Sequence, residues 1–183
     1  MVKVVVVLAE GFEEIEALTP IDVLRRAGLD VTVAGVGGTL ITGAHKVTVK
    51  CDVDVSSIEN NKFTCIILPG GMPGALNLRN SKSVSRLVTS INQANGLVCA
   101  ICASPAVVLG PLGVLKDKEG VCYPGMESYA PEVKFAKDVS VFQDGNVVTA
   151  SGPAAAAEFA FLIVELLTGK EPEKLRNAML YNS

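Results

Sequence analysis

The chain has 183 residues, 49% of them hydrophobic and 19% charged, with a formal net charge of -3. That length suits one domain with a full hydrophobic core, here spanning residues 1–183, and the composition excludes a disordered chain. The acidic balance, with no basic run longer than Arg25-Arg26, leaves no basic patch for nucleic acid or an anionic membrane.

The first residues, MVKVVVVLAEGF, are too short and too Val-rich for a secretory leader. Val2–Leu8 instead predicts a fully buried parallel strand. No apolar run approaches the roughly 20 residues of a membrane span. Glu10-Gly11-Phe12 turns the chain into a helix over Glu13–Ala27. Its apolar residues Ile15, Leu18, Ile21 and Leu24 recur at helical spacing, with acids in the first turn and Arg25 and Arg26 in the last. Gly28 stops it, and Pro20 predicts a kink or a break. Asp30–Val36 is a second strand. The glycines and alternating apolar residues of 36–51 predict a hairpin or an edge excursion.

Phe63–Leu68 is a third buried strand, ending in Pro69-Gly70-Gly71-Met72-Pro73-Gly74. A glycine-rich loop at the carboxyl end of a parallel strand is where open α/β sheets bind ligands. It is equally the form of a plain strand-to-helix turn, and no G-K-[ST] follows to make it a phosphate loop. Ser81–Asn95 predicts a helix and Leu97–Ile101 a fourth strand. Ala103–Leu109 predicts a further helix, after which Gly110–Pro131 is broken by glycine and proline. Val139–Phe142 and Val147–Ala150 flank an Asp-Gly turn and predict a β-hairpin. Ser151-Gly152-Pro153 leads into an Ala-rich helix to Leu167, closed by Gly169, and Glu171–Leu180 is a last short helix. The β-α alternation predicts an α/β sandwich around a mostly parallel sheet.

Cys102 falls at the joint between the fourth strand and the helix that follows. Such a joint is a nucleophile elbow, which lifts one side chain over the sheet edge beside free N–H groups of the helix start. Those groups and the helix dipole favour a thiolate. The alternative is that Cys102 is one more small buried hydrophobe. The five cysteines (Cys51, Cys65, Cys99, Cys102 and Cys122) are odd in number. They read as buried thiols of a reducing cytoplasm, not as a disulfide framework. Cys99 and Cys102 match C-x-x-C, but with Cys99 back in an extended strand their Cα atoms lie about 10 Å apart. A disulfide needs them within about 7 Å. One His and no second Cys pair leave no metal-ligand set.

The segments AEGFEEIEA at 9–17, LPGGMPGALNL at 68–78, the elbow at 100–109 and SGPAAAAEFA at 151–160 resemble the DJ-1/ThiJ/PfpI superfamily. With IDVLRRAGLDVTVAG at 21–35, the likeness covers nearly the whole chain and is nearest the DJ-1 branch. The resemblance implies a flavodoxin-like three-layer sandwich, a homodimer and no cofactor. It places the reactive thiol at Cys102 and its partner acid at Glu16. Gly70, Gly71 and Ala103 would supply amides that polarise a substrate carbonyl, with Gly152 and Pro153 packed beside the site. For Glu16 the bland reading is a first-turn acid that complements the helix dipole, as Glu13 and Glu14 do. Relatives often carry a His after the elbow strand, where this chain has Tyr123. The single histidine is His45, which with Arg26 could reach a partner's site across a dimer or simply sit on the surface.

Two functions from different classes follow. One is a glyoxalase or protein deglycase acting on methylglyoxal, glyoxal or their adducts, with Cys102 as nucleophile and Glu16 as proton carrier. The other is a redox-responsive stress protein or chaperone, in which the same thiolate oxidises first. A cysteine peptidase of the PfpI type stands behind both for want of the histidine.

Overall fold

The computed structural model describes residues 2–58 and 63–181. In chain order the larger elements are β1 (Lys3–Leu8), α1 (Glu14–Arg26), β2 (Asp30–Gly35), β3 (Leu40–Thr42), β4 (Thr48–Lys50) and β5 (Val53–Asp54). Then come β6 (Cys65–Leu68), α2 (Gly74–Asn80), α3 (Lys82–Gln93), β7 (Leu97–Ile101), β8 (Glu119–Gly120) and β9 (Lys134–Phe135). The hairpin β10 (Val141–Asp144) and β11 (Val147–Ala150) precedes α4 (Ala156–Thr168) and α5 (Glu173–Ala178).

Seven strands form one sheet in the order β10-β11-β7-β6-β1-β2-β5. All neighbours run parallel except the β10–β11 pair. Side chains alternate between the faces of a strand, so the β1 valines feed two cores. Val4, Val6 and Leu8 pack under α1 and α4, while Val5 and Val7 pack under α2, α3 and the segment after the elbow. This is an αβα sandwich with both faces covered, the setting in which parallel strands read as unbroken apolar runs. The strand order reverses at β1, between β6 and β2, and ligands of such sheets bind outside the carboxyl ends at that point.

Several local expectations change. Helix α1 runs unbroken through Pro20, so no break follows from that residue. Segment 36–51 is the antiparallel hairpin β3–β4. The glycine loop is followed by a short helix, α2, which the glycines and prolines around it concealed. The expected helix at 103–109 is a wide π-helical turn over Pro105–Leu109. Helix α4 is preceded by one tight turn at Pro153–Ala155, and α5 is shorter than expected at both ends. No described helix is long and apolar enough to cross a membrane.

Candidate active site

The site is built from the carboxyl ends of β1, β6 and β7. Strand β7 pairs with β11 up to Ile101 opposite Ala150, and the chain then turns sharply at Cys102, whose φ is +65°. An L-residue in this left-handed region carries a strain of about 1–2 kcal/mol. Backbone bonds hold it there: the Cys102 N–H donates to the Ala150 carbonyl and the Tyr123 N–H to the Cys102 carbonyl, both at 2.8 Å. The buried Ser104 hydroxyl donates to the Pro69 carbonyl at 2.6 Å, tying the elbow to the glycine loop. The backbone amides of Gly71 and Ala103 lie near the Cys102 thiol and favour its ionised form.

Glu16 lies in the first turn of α1 and is fully buried. Glu13 caps that turn, its Oε2 accepting the Glu16 N–H at 2.8 Å. The Gly70 N–H donates to Glu16 Oε2 at 2.8 Å, while Oε1 is buried with no hydrogen-bond partner among the described residues. The side chain that interacts with this carboxyl is the Cys102 thiol. Gly70 sits between the two: a Cβ there would lie 2.7 Å from the Cys102 Cβ and 2.8 Å from Glu16 Oε2. Only glycine lets acid and thiol meet.

Burial raises the Glu16 carboxyl from 4.5 to about 7, against the lowering effect of its bonds to Cys102 and Gly70, and the Glu13 charge adds to the rise. Burial and the neighbouring Glu16 push the Cys102 thiol up to about 12, outweighing the Gly71 and Ala103 amides. The acidified thiol expected from the helix start is therefore corrected: the two amides do not offset burial and the neighbouring Glu16 carboxylate. The two groups titrate as a pair. Between these values the pair holds one proton, either as thiol with carboxylate or as thiolate with carboxylic acid.

The structure thus brings together Cys102, Glu16, Gly70, Gly71 and Ala103. One role changes, since the Gly70 amide is engaged by Glu16 and not free for a substrate oxygen. Gly152 lies at the rim, where its Cβ position would be 3.4 Å from the Tyr123 ring, and Pro153 opens the turn into α4. His45 and Arg26 lie apart from this group within the chain. His45 Nδ1 pairs with Glu14 Oε2 at 2.8 Å, which raises the imidazole pKa. Arg26 Nε pairs with Asp22 Oδ2 at 2.8 Å on the surface of α1.

Glu13 and Glu14 do more than complement the dipole. Glu14 also accepts the His45 N–H at 2.7 Å. Burial works to raise its pKa, but these bonds prevail and lower it. With His45 these acids offer ligand atoms within 4.8 Å of one another. The Glu13 and Glu14 oxygens already serve α1 and His45, and the positive end of α1 opposes a cation. The E-x-x-E spacing of Glu13 and Glu16 was a readable capping signal. The bond from Ser104 to Pro69 had none, because it joins two loops distant in sequence.

Fold and site together define an α/β protein with a strand-to-helix elbow cysteine set against a buried glutamate. The model of the DJ-1/PfpI family matches residues 2–166, and the chain belongs to that family, in its DJ-1 branch. It is 40% identical to protein dj-1beta of Drosophila melanogaster over 91% of this chain and 89% of that one. It is 35% identical to the glutathione-independent glyoxalase DJR-1.2 of Caenorhabditis elegans, over 93% of this chain and 89% of that one. The structure of oxidized Toxoplasma gondii DJ-1 superposes with a TM-score of 0.94 at 38% identity, covering 100% of both chains. Against Arabidopsis thaliana DJ-1 homologs B and A, the chain spans 39% and 43% of their lengths.

Proposed function

We propose that this chain is a cofactor-independent glyoxalase or protein deglycase, acting on methylglyoxal, glyoxal or their adducts. The observation that carries the reading is the placement of Cys102 and the buried Glu16 carboxyl on either side of Gly70, with one carboxyl oxygen unpartnered among the described residues. The name of the Caenorhabditis elegans relative supports the same chemistry.

In its thiolate–acid form, the pair adds sulfur to the aldehyde carbon of methylglyoxal. The carbonyl oxygen is steadied by the Gly71 and Ala103 amides as it gains charge, and takes the Glu16 proton to complete a hemithioacetal. The Glu16 carboxylate then removes the hydrogen of that carbon and returns it to the neighbouring carbon, while the hydroxyl proton passes to the neighbouring oxygen. The product is a thioester of the hydroxy acid. Water cleaves it, releasing lactate and restoring the thiol. Methylglyoxal plus water equals lactate, so the exchange of oxidation state is internal and no external oxidant enters. Because the working pair holds one proton, the rate rises as the pH passes about 7. A homodimer in a reducing cytoplasm is the setting proposed for it.

The test is lactate formation from methylglyoxal with no added cofactor. Cys102→Ser and Glu16→Gln each lower the rate about 100-fold or more. A wild-type protein that forms no lactate overturns the reading.

The redox-responsive role is the second reading. One observation favours it: of the five cysteines, Cys102 alone is partly exposed. Two equivalents of peroxide would take its thiol to the sulfinic acid with release of two waters, and a protonated Glu16 would hydrogen-bond the new oxygens. Oxidation that changes partner binding, without turnover of any aldehyde, would select this role.

A further inference from the structure

The site needs a wall for whatever substituent an α-oxoaldehyde carries, and the rim supplies an aromatic one. Tyr123 is anchored to the elbow through its N–H bond to the Cys102 carbonyl at 2.8 Å. Its ring packs on Gly152, where a Cβ would lie 3.4 Å from Cδ2 and 3.8 Å from Cε2. The residue is 46% exposed. Met72, next to Gly71, is likewise partly exposed at 38%. The charge acting on the Cys102–Glu16 pair from outside it is that of the acidic Glu13, with His45 Nδ1 4.0 Å from Glu13 Oε1 on its outer side. A carboxylate- or phosphate-bearing aldehyde would meet a negative site. An uncharged ring would meet an aromatic face.

We infer that Tyr123 is a specificity-determining residue, and that the α-oxoaldehydes this site favours carry an uncharged aromatic or bulky apolar substituent lying on its ring. The inference rests on the glyoxalase reading and names the substrate class within it. The reaction is unchanged: phenylglyoxal plus water gives mandelate.

The experiment compares initial rates for phenylglyoxal, methylglyoxal and the anionic α-oxoaldehyde 3-phosphonooxy-2-oxopropanal in wild type, Tyr123→Phe and Tyr123→Ala. Wild type prefers phenylglyoxal in kcat/KM and turns over the phosphorylated aldehyde least. Tyr123→Ala lowers the phenylglyoxal-to-methylglyoxal ratio about tenfold, the loss falling on KM, as expected for one aromatic contact. Tyr123→Phe keeps the ratio, since the ring and not the hydroxyl makes the contact. A ratio that Tyr123→Ala leaves unmoved overturns the inference, as does a ratio that Tyr123→Phe lowers equally. If no aldehyde is turned over, the reaction itself falls, and the preference is read from binding alone. There, inert 1-phenylpropane-1,2-dione should protect Cys102 from iodoacetamide better than butane-2,3-dione in wild type. Equal protection by the two diketones overturns the inference.

Discussion

Replacing Glu16 with glutamine should stabilise the protein at alkaline pH while removing its activity. Glu16 is fully buried, and its pKa rises from 4.5 to about 7 on folding. Below pH 4.5 the carboxyl is protonated in both the folded and the unfolded chain, so it adds no penalty. Above about 7 it is ionised in both, and the folded form alone bears the cost of a buried charge. Over that interval the folded chain binds more protons, so stability falls as the pH rises. At about 1.4 kcal/mol per pH unit the loss is about 3 kcal/mol. Glutamine has no such titration, and its carbonyl still accepts the Gly70 N–H. Urea unfolding of wild type and Glu16→Gln at pH 5 and pH 8 measures the effect. The stability of the variant relative to wild type should increase by about 2.5 kcal/mol between the two, or roughly 5–10 °C in Tm. Groups common to both proteins, His45 among them, cancel in this difference. A pH-independent difference, or one that falls at pH 8, would refute the claim that the carboxyl is held against its ionisation.

Gly70→Ala places a Cβ 2.7 Å from the Cys102 Cβ and 2.8 Å from Glu16 Oε2. It should cost about 1–3 kcal/mol in urea unfolding and lower lactate formation as severely as Cys102→Ser. Ser104→Ala leaves the buried Pro69 carbonyl without its 2.6 Å donor. The expected cost is about 1–3 kcal/mol in the same assay, with a smaller loss of activity because the thiol and acid remain. His45 is the one histidine of the chain, so its imidazole resonance can be followed alone by NMR. It should titrate above 6.5 because of the Glu14 carboxylate and move back toward that value in Glu14→Gln. The stability this pair contributes is full below pH 6.5 and is lost as the pH rises through the folded value.

The sheet was the most legible part of the sequence, for a physical reason. A central parallel strand is apolar on both faces, and VVVVL in β1, CIIL in β6 and LVCAI in β7 carry that mark without help from distant residues. Pro20 does not break α1, because packing against α4 and the sheet offsets the lost N–H bond. Helix α2 was hidden by Pro73 and Gly74, since a helix that opens on such residues looks like loop. Cys102 was legible as an elbow, but its protonation was not. The local pattern shows two amides and a dipole, whereas the group that prevails is Glu16, folded in from the far end of the sequence. The same holds for the Gly70 amide, whose acceptor no spacing rule connects to it.

The backbone of Cys102 also bears on when this site exists. Its left-handed turn is held by bonds to Ala150 and to the amide of Tyr123, both far along the chain. Each bond closes a loop whose entropic cost must be met before the strained turn is favoured. The thiol–acid geometry therefore depends on β11 and on the segment at Tyr123, parts of the chain that supply none of its reacting atoms.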